Sequence, residues 1–310
     1  MTHTPRDPRF GSGLVMALAG SIAFSGKAII VKLAYRYNVD AVTLLMLRML
    51  FAFPFFAAMA WWAGRDQPRL PLRDWVGVIG LGVSGYYFAS FLDFAGLQYI
   101  TASLERLILY LNPTLVLALG WFLYRREFTR RQVVGMAVSY TGVLLVFGHE
   151  VSLQGSHVLL GAGLVFVSTI SYALYMVYSG ELVKRMGALR LVGLATGVAC
   201  VCCIAQFLVL RPVDVALHLA PQVIWLSVLN ASLCTAVPVL LVMMAIERIG
   251  PAMSAQSGMV GPISTILMGV LILGEPFTAW IAAGSVLVIA GIFVFSLRRP
   301  PGLPALKPRT

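Results

Sequence analysis

The chain has 310 residues and a mean hydropathy of +0.88, with 59% hydrophobic and only 11% charged residues. That composition excludes a soluble globular domain. The net charge of +11 raises the question of nucleic acid, but the cations are scattered through short segments between apolar stretches. The expected surroundings are the lipid bilayer, with no nucleic-acid partner.

A helix needs about 20 apolar residues to cross about 30 Å of hydrocarbon. The pattern predicts ten such spans, near residues 12–34, 41–63, 75–98, 101–123, 131–148, 156–179, 189–210, 222–246, 251–273 and 277–297. The first is too long for a signal peptide and contains Lys27, so it reads as an uncleaved anchor. Its Gly20 to Gly26–Lys27 stretch fails as a phosphate loop, because Ala28 stands where Ser or Thr should bind Mg²⁺ and no strand flanks it. Without an ATPase motif, uphill transport would draw on a gradient. In the third span, Gly82–Val83–Ser84–Gly85 spells an intramembrane serine-protease motif. No His lies at that depth to act as base, so these glycines read as close helix packing, as do Gly193 and Gly197 in the seventh. Cys200, Cys202, Cys203 and Cys234 lack accompanying His or Met ligands and read as core. No metal, cofactor or catalytic residue is expected. All six tryptophans fall near span ends and read as an aromatic belt. The Pro-rich tail from Arg298 reads as disordered.

The second five spans repeat the first five. Shifting the numbering by 149 overlays Ile100/Ile249, Pro113/Pro262, Gly120/Gly269, Phe128/Phe277, Thr129/Thr278, Gly135/Gly284 and Gly142/Gly291. An odd number of spans per repeat makes the halves enter the membrane from opposite sides, which is the inverted-repeat plan of secondary transporters. The expected architecture is an all-α membrane protein of ten transmembrane helices in two inverted five-helix repeats, 1–150 and 151–310. With the amino terminus inside, seventeen of the 23 Lys and Arg lie in inside segments and two, Arg36 and Arg211, lie outside. The other four, Lys27, Lys32, Arg48 and Arg106, lie in spans. This bias places both termini in the cytoplasm. It also separates Arg125–Arg131, which is cationic, from its counterpart Gly274–Thr278, which has no Lys or Arg.

Charges within the hydrocarbon are costly and mark candidate sites: Lys27, Arg48, Asp93, Glu105 and Arg106. Lys32 is near enough to the outer face to snorkel. By depth, Arg48 pairs with Glu105, and Asp93 with Arg106 or Lys27. The group either holds helices together or serves substrate or coupling. No His lies in a span, so a proton carrier would be Asp93 or Glu105. Pro113 and Pro262 lie about 12 residues into their spans, near the midplane at about 1.5 Å per residue. A proline there frees a carbonyl and bends the helix. Matched interruptions point to a binding site; the alternative is that both merely shape the bundle. Mid-span phenols need a partner or a wet cavity. The substrate-binding candidates are therefore Tyr86, Tyr87, Tyr110, Asn112, Pro113, Tyr172, Tyr175, Asn230, Gln256 and Pro262. Each tyrosine alone also fits packing; together they favour an aromatic or moderately apolar solute.

The duplication, Arg48, the two proline spans and the turn Leu273–Gly274–Glu275–Pro276–Phe277–Thr278 resemble the drug/metabolite transporter superfamily, in its ten-helix EamA-type exporter branch. The first repeat departs from the pattern, carrying Arg125–Arg126–Glu127 in place of Gly–Glu. The resemblance implies a bacterial inner-membrane protein with spans three, four, eight and nine around a central cavity. With the tyrosines, it is similar to exporters of aromatic amino acids and metabolites. The expected function is export of aromatic or other neutral amino acids by alternating access, and a monomer is compatible with that plan. The alternatives are a broad drug or aromatic-cation exporter and, from another class, a non-transporting scaffold.

Overall fold

The computed structural model describes residues 8–124, 129–242, 244–245, 248–249 and 260–296. Among these, eight helices of 22 to 30 residues are long and apolar enough to cross a membrane. They are Gly11–Tyr35, Ala41–Gly64, Leu72–Gly96, Ala102–Leu123, Arg130–Leu153, His157–Met186, Ala188–Leu210 and Pro221–Val242. Two shorter apolar helices, Val260–Leu273 and Ala279–Val294, follow as spans nine and ten. The chain is an all-α, multi-pass membrane protein, as its composition requires: in lipid every backbone polar group must be satisfied within the segment.

Local chemistry marks the span ends. Asp40 caps span two, accepting hydrogen bonds from the backbone N–H of Val42 at 3.0 Å and Thr43 at 3.3 Å. A reciprocal capping box between Thr129 and Gln132 opens span five. Gly187 and Gly274, both at positive φ, close spans six and nine. Spans five and six run further than expected, as Arg130–Gln154 and His157–Met186. The expected loop at 148–156 therefore shrinks to Gly155 and Ser156. The polar end of span five continues as helix because its side chains find partners: His149 stacks on Trp280 at 5.6 Å, and Glu150 accepts a hydrogen bond from Thr101. His149 and His157 thus lie on helix ends.

Spans five and ten form the most extensive helix pair. They meet backbone to backbone: a Cβ on Gly142 would lie 2.6 Å from Gly284 O, and one on Gly291 would lie 2.6 Å from Gly135 O. As one index falls the other rises, so the two helices run antiparallel. The Ser139 hydroxyl reaches Val288 O at 3.4 Å, and Val288 is its own counterpart under the shift of 149.

Four spans depart from regular α-helix. Span three carries a π-helical segment, Gly82–Phe88, and span eight another, Ser232–Ala236. Shifted by 149, residues 83–87 fall on 232–236. A third π turn, Gly269–Leu273, ends span nine. Span four is broken into Ala102–Leu109 and Asn112–Tyr124. The break at Tyr110 and Leu111 immediately precedes Pro113, which has no N–H to give to the carbonyl of Leu109. Pro262 is buried in the helix Val260–Met268. Gly82 and Gly85 are packing positions: a Cβ on Gly82 would lie 2.6 Å from Ala195 O, and one on Gly85 would strike the Tyr175 ring. The six tryptophans lie on the exterior of the bundle, and the cysteine-rich stretch of span seven packs inward, with Cys200 Sγ 3.8 Å from Met49 Sδ.

Candidate functional site

Spans one, two, three, four, eight and nine bring five buried charges together. Lys27 Nζ lies 2.6 Å from Asp93 Oδ2 and 3.4 Å from Glu105 Oε1. Glu105 is fully buried, and Lys27, Arg48, Asp93 and Arg106 are nearly so. Asp93 therefore takes Lys27, one of its two expected partners. The expected pair of Arg48 with Glu105 does not form, because Glu105 faces span one. Arg48 instead donates from Nε to Thr235 Oγ1 at 3.1 Å, with its guanidinium over the Phe94 ring at 5.2 Å. Arg106 donates from Nε to Thr265 Oγ1 at 2.8 Å and from Nη2 to Phe24 O at 3.4 Å. Neighbouring residues on a helix point about 100° apart, so Glu105 serves span one while Arg106 reaches span nine.

The helix irregularities position these groups. In the π turn of span eight, Thr235 Oγ1 donates to Asn230 O, five residues back, at 2.7 Å. That bond orients the hydroxyl that receives Arg48. In span four, the break brings the Tyr110 hydroxyl against Gly261, beside Pro262: a Cβ there would lie 2.7 Å from the oxygen. Asp93 Oδ1, both Glu105 carboxylate oxygens, Asn112 Oδ1 and both polar atoms of the Asn230 amide are buried without a hydrogen-bond partner among the described residues. Such groups are rare in native interiors and costly to leave unmet. They are suited to a polar solute or water.

The tyrosines do not form one wall. Tyr86 meets Tyr175 edge to face, with centroids 5.0 Å apart and hydroxyls 3.3 Å apart, and Tyr172 stacks on Tyr175 at 5.5 Å. These three sit between spans three and six, with Tyr172 partly on the exterior. Tyr87 packs against a different apolar cluster, built from spans one, two, three, four, seven and eight, and Tyr110 stands at the break of span four. Gln256 lies outside the described residues.

Two acidic residues absent from the expected site hold the start of span four. Glu275 accepts from Ala102 N at 2.7 Å, Ser103 N at 3.3 Å and the Ser103 hydroxyl at 2.7 Å. Glu150 accepts from Thr101, whose own oxygen caps Leu104 N at 3.1 Å. A carboxylate is favoured where a helix exposes its first N–H groups. Lys32 complements them, donating to Leu97 O at 3.2 Å and Ile100 O at 2.9 Å, rather than reaching for the membrane surface. The Gly274–Glu275 turn is the sequence signal for Glu275; for Glu150 there is none.

The EamA-like transporter family model matches residues 11–148 and again 159–297. The chain is 28% identical over 274 residues to the uncharacterized transporter YcbK of Bacillus subtilis (strain 168), covering 85% of this chain and 86% of that one. It is 24% identical over 266 residues to a probable amino-acid metabolite efflux pump of Salmonella typhimurium (strain LT2), covering 81% and 85%. A protein of known crystal structure superposes with a TM-score of 0.61 at 17% identity, over 93% of this chain and 98% of that one. At that identity the likeness concerns the fold.

Proposed function

The chain belongs to the EamA-like transporter family, and from that premise we propose that it exports neutral amino acids, aromatic ones among them, and related metabolites. The observation that carries the proposal is the charge cluster at the break of span four, where buried acceptors and donors without partners stand among fixed cations and carboxylates. A zwitterion offers an ammonium to Asp93 and Glu105 and a carboxylate to the cations. The Tyr86, Tyr172 and Tyr175 group supplies aromatic surface next to the π segment of span three. The efflux-pump name of the Salmonella relative supports the same class.

The proposal includes alternating access around this site by two inverted repeats, 1–150 and 151–310. The antiparallel crossing of spans five and ten, with Ser139 against Val288, supports the inversion. So do the π segments at matching positions of spans three and eight. The Lys and Arg bias supports cytoplasmic termini, and the bacterial relatives support an inner-membrane location. A single chain contributes every residue of the proposed site.

A second reading, export of aromatic cations, draws on Glu105, which is fully buried beside Asp93. Counterflow in sealed liposomes separates the two. Phenylalanine and leucine should exchange with internal substrate, while tetraphenylphosphonium should not. The opposite ranking would favour the cation reading, and no flux of either would reject the proposal. Tyr175→Leu should shift phenylalanine against alanine by roughly 2- to 12-fold if the ring touches cargo. Equal slowing of both would assign it to packing.

A further inference from the structure

Arg48, like Arg106, makes no ion pair among the described residues. It is 6% exposed at a membrane depth where an isolated cation is costly, and no carboxylate lies within ion-pair distance of it among the described residues. Two contacts fix it. The bond from Nε to Thr235 sets its position from span eight, and the Phe94 ring beneath sets its plane from span three. Neither uses the terminal nitrogens. Nη1 and Nη2 have no acceptor among the described residues, yet they are not among the sealed unpaired atoms, as the neighbouring Asp93 and Glu105 oxygens are. Arg106 differs, since one of its terminal nitrogens is engaged by Phe24 O.

A planar guanidinium held by Nε and by one face presents its free edge as two parallel N–H donors. That geometry matches the two oxygens of a carboxylate, and a lysine ammonium does not reproduce it. Further cations and an amide belong to the same buried cluster. Lys27 and Arg106 stand within electrostatic reach of Cys234, as Arg48 does. Asn230, whose amide is unpartnered at 1% exposure, belongs to the same stretch of span eight that orients Thr235.

We infer that Arg48 anchors the carboxylate of the transported molecule, with Thr235 and Phe94 as positioning residues, so that cargo is recognised as a carboxylate-bearing solute. The inference rests on the carrier reading of this site but not on the cargo being an amino acid. It also gives Arg48 a role distinct from that of Asp93 and Glu105, the carboxylates offered to an ammonium.

The test compares matched solutes on the purified protein, by thermal stabilisation and by competition in liposome counterflow. The first set is L-phenylalanine, 3-phenylpropionate and 2-phenylethylamine; the second is L-leucine, 4-methylvalerate and isoamylamine. At least one acid should bind about tenfold or more tighter than its carboxylate-free amine, the size expected for hydrogen bonds to a charged group. Arg48→Lys, which keeps the charge, should bring that ratio close to one. Thr235→Val should weaken the acid several-fold and leave the amine unchanged. Amines binding as well as acids, no acid binding at all, or an acid preference that survives Arg48→Lys would each overturn the inference. If Arg48→Lys does not fold, an unchanged preference in Thr235→Val overturns it instead. Binding of 3-phenylpropionate or 4-methylvalerate without either amino acid would reject the amino-acid proposal and uphold the carboxylate anchor.

Discussion

Removing the charge of Asp93 tests the core of the site most directly. Lys27 Nζ is 2.6 Å from Asp93 and 3.4 Å from Glu105. At an effective dielectric of about 20 these separations correspond to attractions of about 6 and 5 kcal/mol, before the desolvation that opposes them. Breaking a buried pair by removing one partner costs about 3–5 kcal/mol. Asp93→Asn should therefore lower unfolding stability by about that amount. Glu105→Gln should cost at most about half as much, because it leaves the shorter pair intact and removes one of two carboxylates that share a single ammonium. Lys27→Met should be the most damaging, since it strands both. Combining Lys27→Met with Asp93→Asn should cost less than the sum of the two singles by about 1–3 kcal/mol. Equilibrium unfolding of purified protein in mild detergent, titrated with a denaturing detergent, gives all four values. Additivity within about 0.5 kcal/mol, or a larger cost for Glu105→Gln than for Asp93→Asn, would refute the pairing.

Other consequences are equally open to measurement. Glu275→Ala removes the acceptor for Ala102 N, Ser103 N and the Ser103 hydroxyl. It should cost about 1–2 kcal/mol, the size of a lost helix cap, whereas an unchanged melting midpoint would deny it that role. Gly85→Ala drives a Cβ into the Tyr175 ring, while a Cβ on Gly80, in the same span, would meet nothing within 4 Å. Thermal melts should show Gly85→Ala losing about 1–3 kcal/mol and Gly80→Ala holding or gaining up to about 1 kcal/mol. For topology, the label belongs at exposed Ser156 rather than Gly155, whose φ of 82° strains any side chain. Ser156→Cys should react with an impermeant thiol reagent applied to intact cells; labelling only after lysis would reject the orientation with both termini inside.

What the chain alone determined is what depends on one dimension. Ten apolar stretches were legible because hydrocarbon selects helices of a minimum length and polarity, whatever they pack against. The break before Pro113 was legible because a missing N–H acts on its own helix. The family was legible in the spacing of the repeats and in the Gly274–Glu275 turn. Tertiary structure decided which buried groups meet. Depth along the sequence made Arg48 and Glu105 look like partners, but pairing depends on the rotation of each helix about its axis, and that rotation is set by packing. In the structure Gly26 of span one lies beside Cys234 of span eight, Glu105 faces Lys27 and Arg48 faces Thr235. The same rotation gathers Tyr86, Tyr172 and Tyr175 while sending Tyr87 and Tyr110 to other faces. The π turns at Gly82–Phe88 and Ser232–Ala236 carry no composition that marks them. Each inserts an extra residue into a helical turn and frees a carbonyl that must find a donor, as Asn230 O does in the Thr235 hydroxyl of its own span.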